Sequence, residues 1–147
     1  MISAVVTLTQ PEGTHRQFVA TSGTGHHLLI DDAAGNTGAK PIELVAIALA
    51  GCTAFDVINI LRKKRQRVTG YEVKVEADQA PTPPQVFTHV RINHVITGVD
   101  VSPQAVEDAI CISEEKYCSV GAMVRKIAEL HVTFEIVPAT NPVLVEA

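Results

Sequence analysis

Three residues in this chain are well suited to covalent chemistry: Cys52, Cys111 and Cys118. An odd number cannot be fully paired within one chain, and an unpaired cysteine serves as a buried thiol, a metal ligand or a reactive nucleophile. The separations, 59 residues between Cys52 and Cys111 and 7 between Cys111 and Cys118, contain no C-x-x-C pair, and the histidines are scattered apart from His26-His27. No metal site and no thioredoxin-type motif is therefore expected. Two thiols distant in sequence remain compatible with a different chemistry. One thiolate attacks a peroxide and the other condenses with the sulfenic acid that results.

The element that must carry Cys52 is an uncharged run of 12 residues, 44–55, bounded by Glu43 and Asp56. Pro41 suits a first helical turn, Glu43 the positive end of a helix dipole, and Arg62-Lys63-Lys64-Arg65 the negative end. One helix is expected from Pro41 through that basic run, closed off by Gly70. Being apolar on every face, it belongs in the core or between subunits, and the uncharged run is too short to span a bilayer. Asp56 falls one turn after Cys52 on the same face. A carboxylate there raises the thiol pKa unless it is itself hydrogen-bonded or salt-bridged.

Cys118 falls at an expected break around residues 117–119, just ahead of a short helix over 120–128. A thiol at a helix start meets free backbone N–H groups, which favour its thiolate. Cys111 lies between Ile110 and Ile112, in a helix capped by Ser102 and begun by Pro103, and is expected to be core packing. Strands are expected at 2–8, 17–21 and 26–31, forming an antiparallel meander before the long helix. A hairpin of 71–77 and 86–96 follows across a proline-rich loop, and the last strand is 130–137.

The fold class expected is therefore α+β, a two-layer domain spanning 1–137 with a tail at 138–147. Composition agrees: 147 residues with 46% hydrophobic and 19% charged residues suffice for one core and argue against disorder. The net charge of −4 offers no footprint for nucleic acid or an anionic membrane, and the run from Arg62 to Arg67 reads as a solvated helix end. Residues 1–10 have no basic n-region and read as a strand, so a cytoplasmic location is expected.

Four segments together resemble the OsmC/Ohr family of thiol-dependent peroxidases, over nearly the whole chain and nearest its YhfA-like branch. They are Gly38-Ala39-Lys40-Pro41-Ile42-Glu43-Leu44, Gly51-Cys52-Thr53-Ala54-Phe55-Asp56-Val57, Pro84-Gln85-Val86-Phe87-Thr88-His89-Val90 and Ser113-Glu114-Glu115-Lys116-Tyr117-Cys118-Ser119-Val120. The resemblance implies an OsmC-like fold in an intertwined homodimer, with two long central helices between curved sheets and active sites at the subunit interface. It implies no cofactor. Cys52 corresponds to the peroxidatic nucleophile and Cys118 to the resolving cysteine. Organic hydroperoxides are the implied substrates, hydrogen peroxide a poorer one, and a dithiol, lipoylated proteins included, the implied reductant.

In the family an arginine from the N-terminal meander stabilises the thiolate, which matches Arg16, and a glutamate near the start of the central helix orients it. The matched position here is Ile42. Glu43 follows one residue later, about 100° round the helix, and is the acidic candidate. Arg91 and Arg125 are reserve cations. A rival reading keeps the same fold without catalysis, as a module that binds a small hydrophobic ligand or senses oxidation.

Overall fold

Short apolar and β-branched runs separated by glycine-bearing turns form the strands β1 (Ala4–Leu8), β2 (Phe18–Ser22) and β3 (His27–Ile30), an antiparallel sheet in the order β1-β2-β3. They belong to the first of two compact units, Met1–Val45 and the chain from Ala46, in a computed structural model that describes residues 1–139. The sheet matches the expected meander, and its side chains are largely uncovered: Val5, Val6, Leu28 and Leu29 are all exposed. After β3 the buried Asp31 carboxylate organises the following loop. It accepts from the N–H groups of Asp32 (2.7 Å) and Thr37 (3.1 Å) and from the Thr37 hydroxyl.

Pro41 opens the helix α1 (Pro41–Lys63), as its fixed φ and missing N–H favour. The helix buries Leu49, Thr53, Val57 and Leu61, a stripe at steps of four residues. The expectation of a helix in the core or between subunits is met within the single chain only along that stripe, because Val45, Ile47 and Phe55 are exposed. At 23 residues the helix is long and apolar enough to cross a membrane, unlike the uncharged run alone. Its buried stripe is instead that of a packed core helix, with Val57 and Leu61 joining Ile96, Val106, Ala109 and Ile110 in one cluster. Each fully buried Leu or Val contributes about 1.5–3 kcal/mol. A surface ion pair such as Lys64–Asp108 (3.6 Å) adds about 0–1 kcal/mol, so packing fixes the helix.

Gly70 does not close α1. The chain leaves the helix through Arg65, whose φ of 56° is left-handed, and Gly70 lies inside β4 (Arg67–Gln79) where the pairing register shifts. β4 pairs antiparallel with β5 (Phe87–Val99), and β6 (Glu129–Pro138) adds parallel to β5, in the order β4-β5-β6. Parallel neighbours need a crossover. It consists of α2 (Pro103–Ile112), a π-helical turn Ser113–Tyr117, and α3 (Ser119–Val124). Ser102 caps α2 as expected, its hydroxyl accepting the Ala105 N–H at 3.2 Å.

Along β5 alternate side chains are buried, among them Val90, Ile92, His94 and Ile96. Cys111 corrects the expectation of a core residue, for it is exposed. The buried face of α2 runs through Ala105, Val106, Ala109 and Ile110, and one step past Ile110 turns the side chain about 100° away. β6 reaches Pro138, and the Ala139 N–H bonds the Gly98 carbonyl at 2.8 Å. The remainder of the expected tail, from residue 140, lies outside the described residues.

Candidate active site

Cys52 projects from α1 half-buried, next to Thr53 in the buried stripe. Cys118 is buried, and two features of its own segment hold it. Its backbone N–H reaches back five residues to the Ser113 carbonyl at 2.8 Å, the bond that makes the preceding turn π-helical. Such turns recur at functional sites because they re-aim a side chain. Cys118 is also the N-cap of α3, and its sulfur accepts the Gly121 N–H at 3.2 Å. A Cβ at 121 would lie 3.0 Å from that sulfur, so any larger residue there would crowd it.

The fold brings Cys52 and Cys118 together. The Cys52 sulfur lies 3.9 Å from the Ser119 hydroxyl. Burial alone would raise its pKa, but hydrogen bonds from the Val120 backbone N–H, the Cys118 thiol and the Ser119 hydroxyl outweigh burial and the nearby Asp56 charge, and the net direction is down. Cys118 moves the other way, to about 11, through burial and its hydrogen bond to Cys52. This corrects one expectation. Cys118 does stand at a helix start and accepts the Gly121 N–H, yet burial and Cys52 outweigh that bond, and the thiol whose pKa falls is Cys52, with Cys118 as its donor.

Beneath the pair runs a short polar chain. Ser113, fully buried, donates to Asp56 Oδ2 at 2.8 Å, and Thr53 Oγ1 lies 3.1 Å from the same serine oxygen. With the Ser113 proton committed to Asp56, the Thr53 hydroxyl donates to Ser113. Asp56 thus has the hydrogen-bonded role left open by the sequence, with its charge held close to a serine hydroxyl.

His94, Thr53, Glu114, Arg125 and Cys118 border a cavity of about 10 Å³ with mainly apolar walls. Arg125 donates to the Glu114 carbonyl (3.2 Å) and pairs with its Oε1 (3.3 Å). His94 Nδ1 is 2.6 Å from the Tyr71 hydroxyl. Arg91, the other reserve cation, is committed to the two oxygens of Asp78 at 3.0 and 3.1 Å and to Glu76 at 3.6 Å, on the exposed side of the sheet.

In the first unit, Arg16 pairs through Nε with Asp32 Oδ2 at 3.0 Å, and Asp32 is steadied by the Gly35 N–H at 2.8 Å. Arg16, Asp32, Lys40 and Ile42 border one open groove. The apolar Ile42 cannot orient a guanidinium, and Asp32 supplies the carboxylate. Glu43 is otherwise engaged: its Oε1 accepts the Lys40 N–H at 2.9 Å, closing the first turn of α1 as in a capping box. Sequence reading passed over Asp32, Ser113, Ser119 and His94. Asp32 stood in a polar loop and His94 in a regular strand, with no motif to mark either; only the serines flanked a singled-out cysteine segment.

The opposite shifts of the thiols predict an order of alkylation. Near neutral pH, iodoacetamide should modify Cys52 ahead of Cys111, although Cys111 is the exposed one, because the Glu115 carboxylate at 3.5 Å holds the Cys111 thiol up. Cys118 should react last. Peptide mass mapping over time checks the order, and Cys111 reacting first would refute it.

Comparison with known proteins places this geometry among relatives. The family model described as OsmC-like protein matches residues 34–137. Protein YhfA of Escherichia coli (strain K12) is 38% identical over 122 residues, 83% of this chain and 91% of that protein. A crystal structure of a hypothetical protein from Aquifex aeolicus VF5 superposes with a TM-score of 0.83 at 26% identity, covering 95% of this chain and 98% of that one. An organic hydroperoxide resistance protein from Elizabethkingia anophelis shares the fold, with a TM-score of 0.67 at 17% identity over 93% and 96% of the two chains.

Proposed function

The chain belongs to the OsmC-like protein family, and from that premise we propose that it is a thiol-dependent peroxidase, reducing organic hydroperoxides through a disulfide cycle between Cys52 and Cys118. The observation that carries the reading is the paired thiols. One is drawn toward thiolate by the Val120 N–H and the Cys118 thiol, and the other is kept protonated beside it. A thiolate is the form that attacks peroxide.

In this cycle the Cys52 thiolate takes the terminal oxygen of the hydroperoxide, the O–O bond breaks, and the alkoxide leaves as the alcohol after gaining a proton. Cys52 is then a sulfenic acid. Cys118 displaces water from it to form the disulfide, and a dithiol reductant, such as a lipoylated protein, restores both thiols by exchange. The name of the Elizabethkingia anophelis neighbour supports organic hydroperoxides as the substrate class. Arg16, carried by the Asp32 ion pair in its own unit, is the proposed thiolate cation, and Glu43 the secondary candidate that caps α1.

A homodimer is part of the proposal. The apolar side chains left uncovered in the single chain, Val5, Val6, Leu28 and Leu29 on the first sheet and Ile47 and Phe55 on α1, need a partner surface. The three free thiols suit a reducing cytoplasm. Titration with one equivalent of an alkyl hydroperoxide tests the chemistry. Two of the three thiols per chain should be lost, with Cys111 remaining. A protein that loses none is the non-catalytic binding module instead.

A further inference from the structure

His94 is fully buried on β5, and among the described residues its Nε2 is a buried side-chain polar atom without a partner. The other ring nitrogen is taken by Tyr71, at 2.6 Å. Burial keeps the phenol protonated and lowers the imidazole to about 4, so both groups are neutral at physiological pH. Between a neutral phenol and a neutral imidazole the stronger pairing has the O–H, the better donor, facing the bare ring nitrogen, the better acceptor, and in that pairing the ring proton lies on Nε2. His94 also borders the cavity next to Cys118, whose volume of about 10 Å³ is room for a single water. Buried polar atoms that lack a protein partner are commonly satisfied by such a water.

We propose that this cavity is a one-water site held by the Nε2–H of His94, and that the water bound there carries away the proton of Cys118 when Cys118 closes the disulfide. The inference rests on the two-cysteine reading above. In the closing step the Cys118 sulfur bonds to the Cys52 sulfur and the S–O bond of the Cys52 sulfenic acid breaks, its electron pair leaving on oxygen. The S–H bond of Cys118 breaks as well, and its proton passes through the cavity water to the departing oxygen, which leaves as water. Cys118 sulfur is oxidised, Cys52 sulfur is reduced, and the hydroperoxide of the preceding step is the oxidant. Help is needed because a thiol held up by burial does not shed its proton unaided near neutral pH. Glu114 borders the same cavity, but its carboxylate is engaged by Arg125 at 3.3 Å. His94 is thus a positioning residue that acts through the water.

Single-turnover oxidation with an alkyl hydroperoxide separates the two steps, reading sulfenic acid by trapping with a cyclic dione and disulfide by quenched mass analysis. His94→Phe should leave sulfenic acid formation within about twofold of wild type and slow disulfide closure about tenfold or more. His94→Gln, whose amide N–H can occupy the place of Nε2–H, should restore closure to within about threefold. Closure at the wild-type rate in His94→Phe, or no rescue by glutamine, overturns the proposal. A folding-independent check is the ¹⁵N spectrum of His94 in the unaltered protein. The proton should sit on Nε2, with mixed tautomers in Tyr71→Phe, and a proton on Nδ1 in wild type overturns the proposal. Wild type that forms no sulfenic acid overturns the peroxidase reading, whereas normal sulfenic acid with unaffected closure overturns only the water.

Discussion

Cys52→Ser is expected to reduce hydroperoxide consumption to the uncatalysed background, the largest effect of any single substitution in this chain. A serine oxygen at neutral pH is neither ionised nor oxidisable by peroxide, so no residual fraction of the first step survives. Cys118→Ser should behave differently. The Cys52 thiolate loses one of its donors but keeps the Val120 N–H and the Ser119 hydroxyl, so sulfenic acid still forms and then accumulates for want of a partner. Cys111→Ser, at an exposed position beside Glu115, should leave turnover unchanged. The three variants are compared by thiol counting and by dione trapping after one equivalent of hydroperoxide. Full thiol loss in Cys52→Ser would transfer the chemistry to another residue and refute the assignment.

How much of this was legible in the residues follows from what each signal physically encodes. The cap Ser102-Pro103 is a local feature and appears where the sequence put it, whereas the uncharged run of α1 did not single out the stripe Leu49, Thr53, Val57, Leu61, because its apolar residues occupy every face. Cys111 was misjudged because its apolar neighbours in sequence are not its neighbours in space; a helix turns about 100° per residue. The exit from α1 was placed too late because a glycine was taken as the stop, whereas a left-handed arginine, Arg65, makes the turn. Most telling is the pair of cysteines. Sequence placed Cys118 at a helix start correctly but assigned the electrostatic benefit to its own sulfur. Which thiol receives the Val120 N–H depends on how α1 lies against α3, a relation no local pattern carries. The same holds for Arg16, whose carboxylate partner Asp32 is 16 residues away in a loop.

The second large effect is on stability, and it comes from His94. Burial lowers its imidazole to about 4 in the folded chain, against 6.5 for an unperturbed histidine. Above pH 6.5 neither state binds the proton and His94 contributes no slope. Between about 6.5 and 4 the unfolded chain binds a proton that the folded chain refuses, so stability falls as pH falls, by about 1.4 kcal/mol per unit and about 3 kcal/mol in all. Below 4 both states are protonated and this contribution levels off. The window is separable from the carboxylates held down by partners, since Asp32, paired with Arg16, and Asp78, paired with Arg91, lose their contribution only as pH falls through 3.8 and below. Tyr71 is neutral throughout, and the Glu114–Arg125 pair is the charged neighbour His94 would meet across the cavity. Urea unfolding at about pH 7.5 and 4.5, at fixed protein concentration, should therefore show wild type losing about 2–3 kcal/mol. His94→Gln, which cannot take up a proton, should lose less by about that amount. Equal losses in the two proteins would mean that the folded chain already admits a proton at His94, and that the ring is not the buried neutral donor its place on β5 makes it.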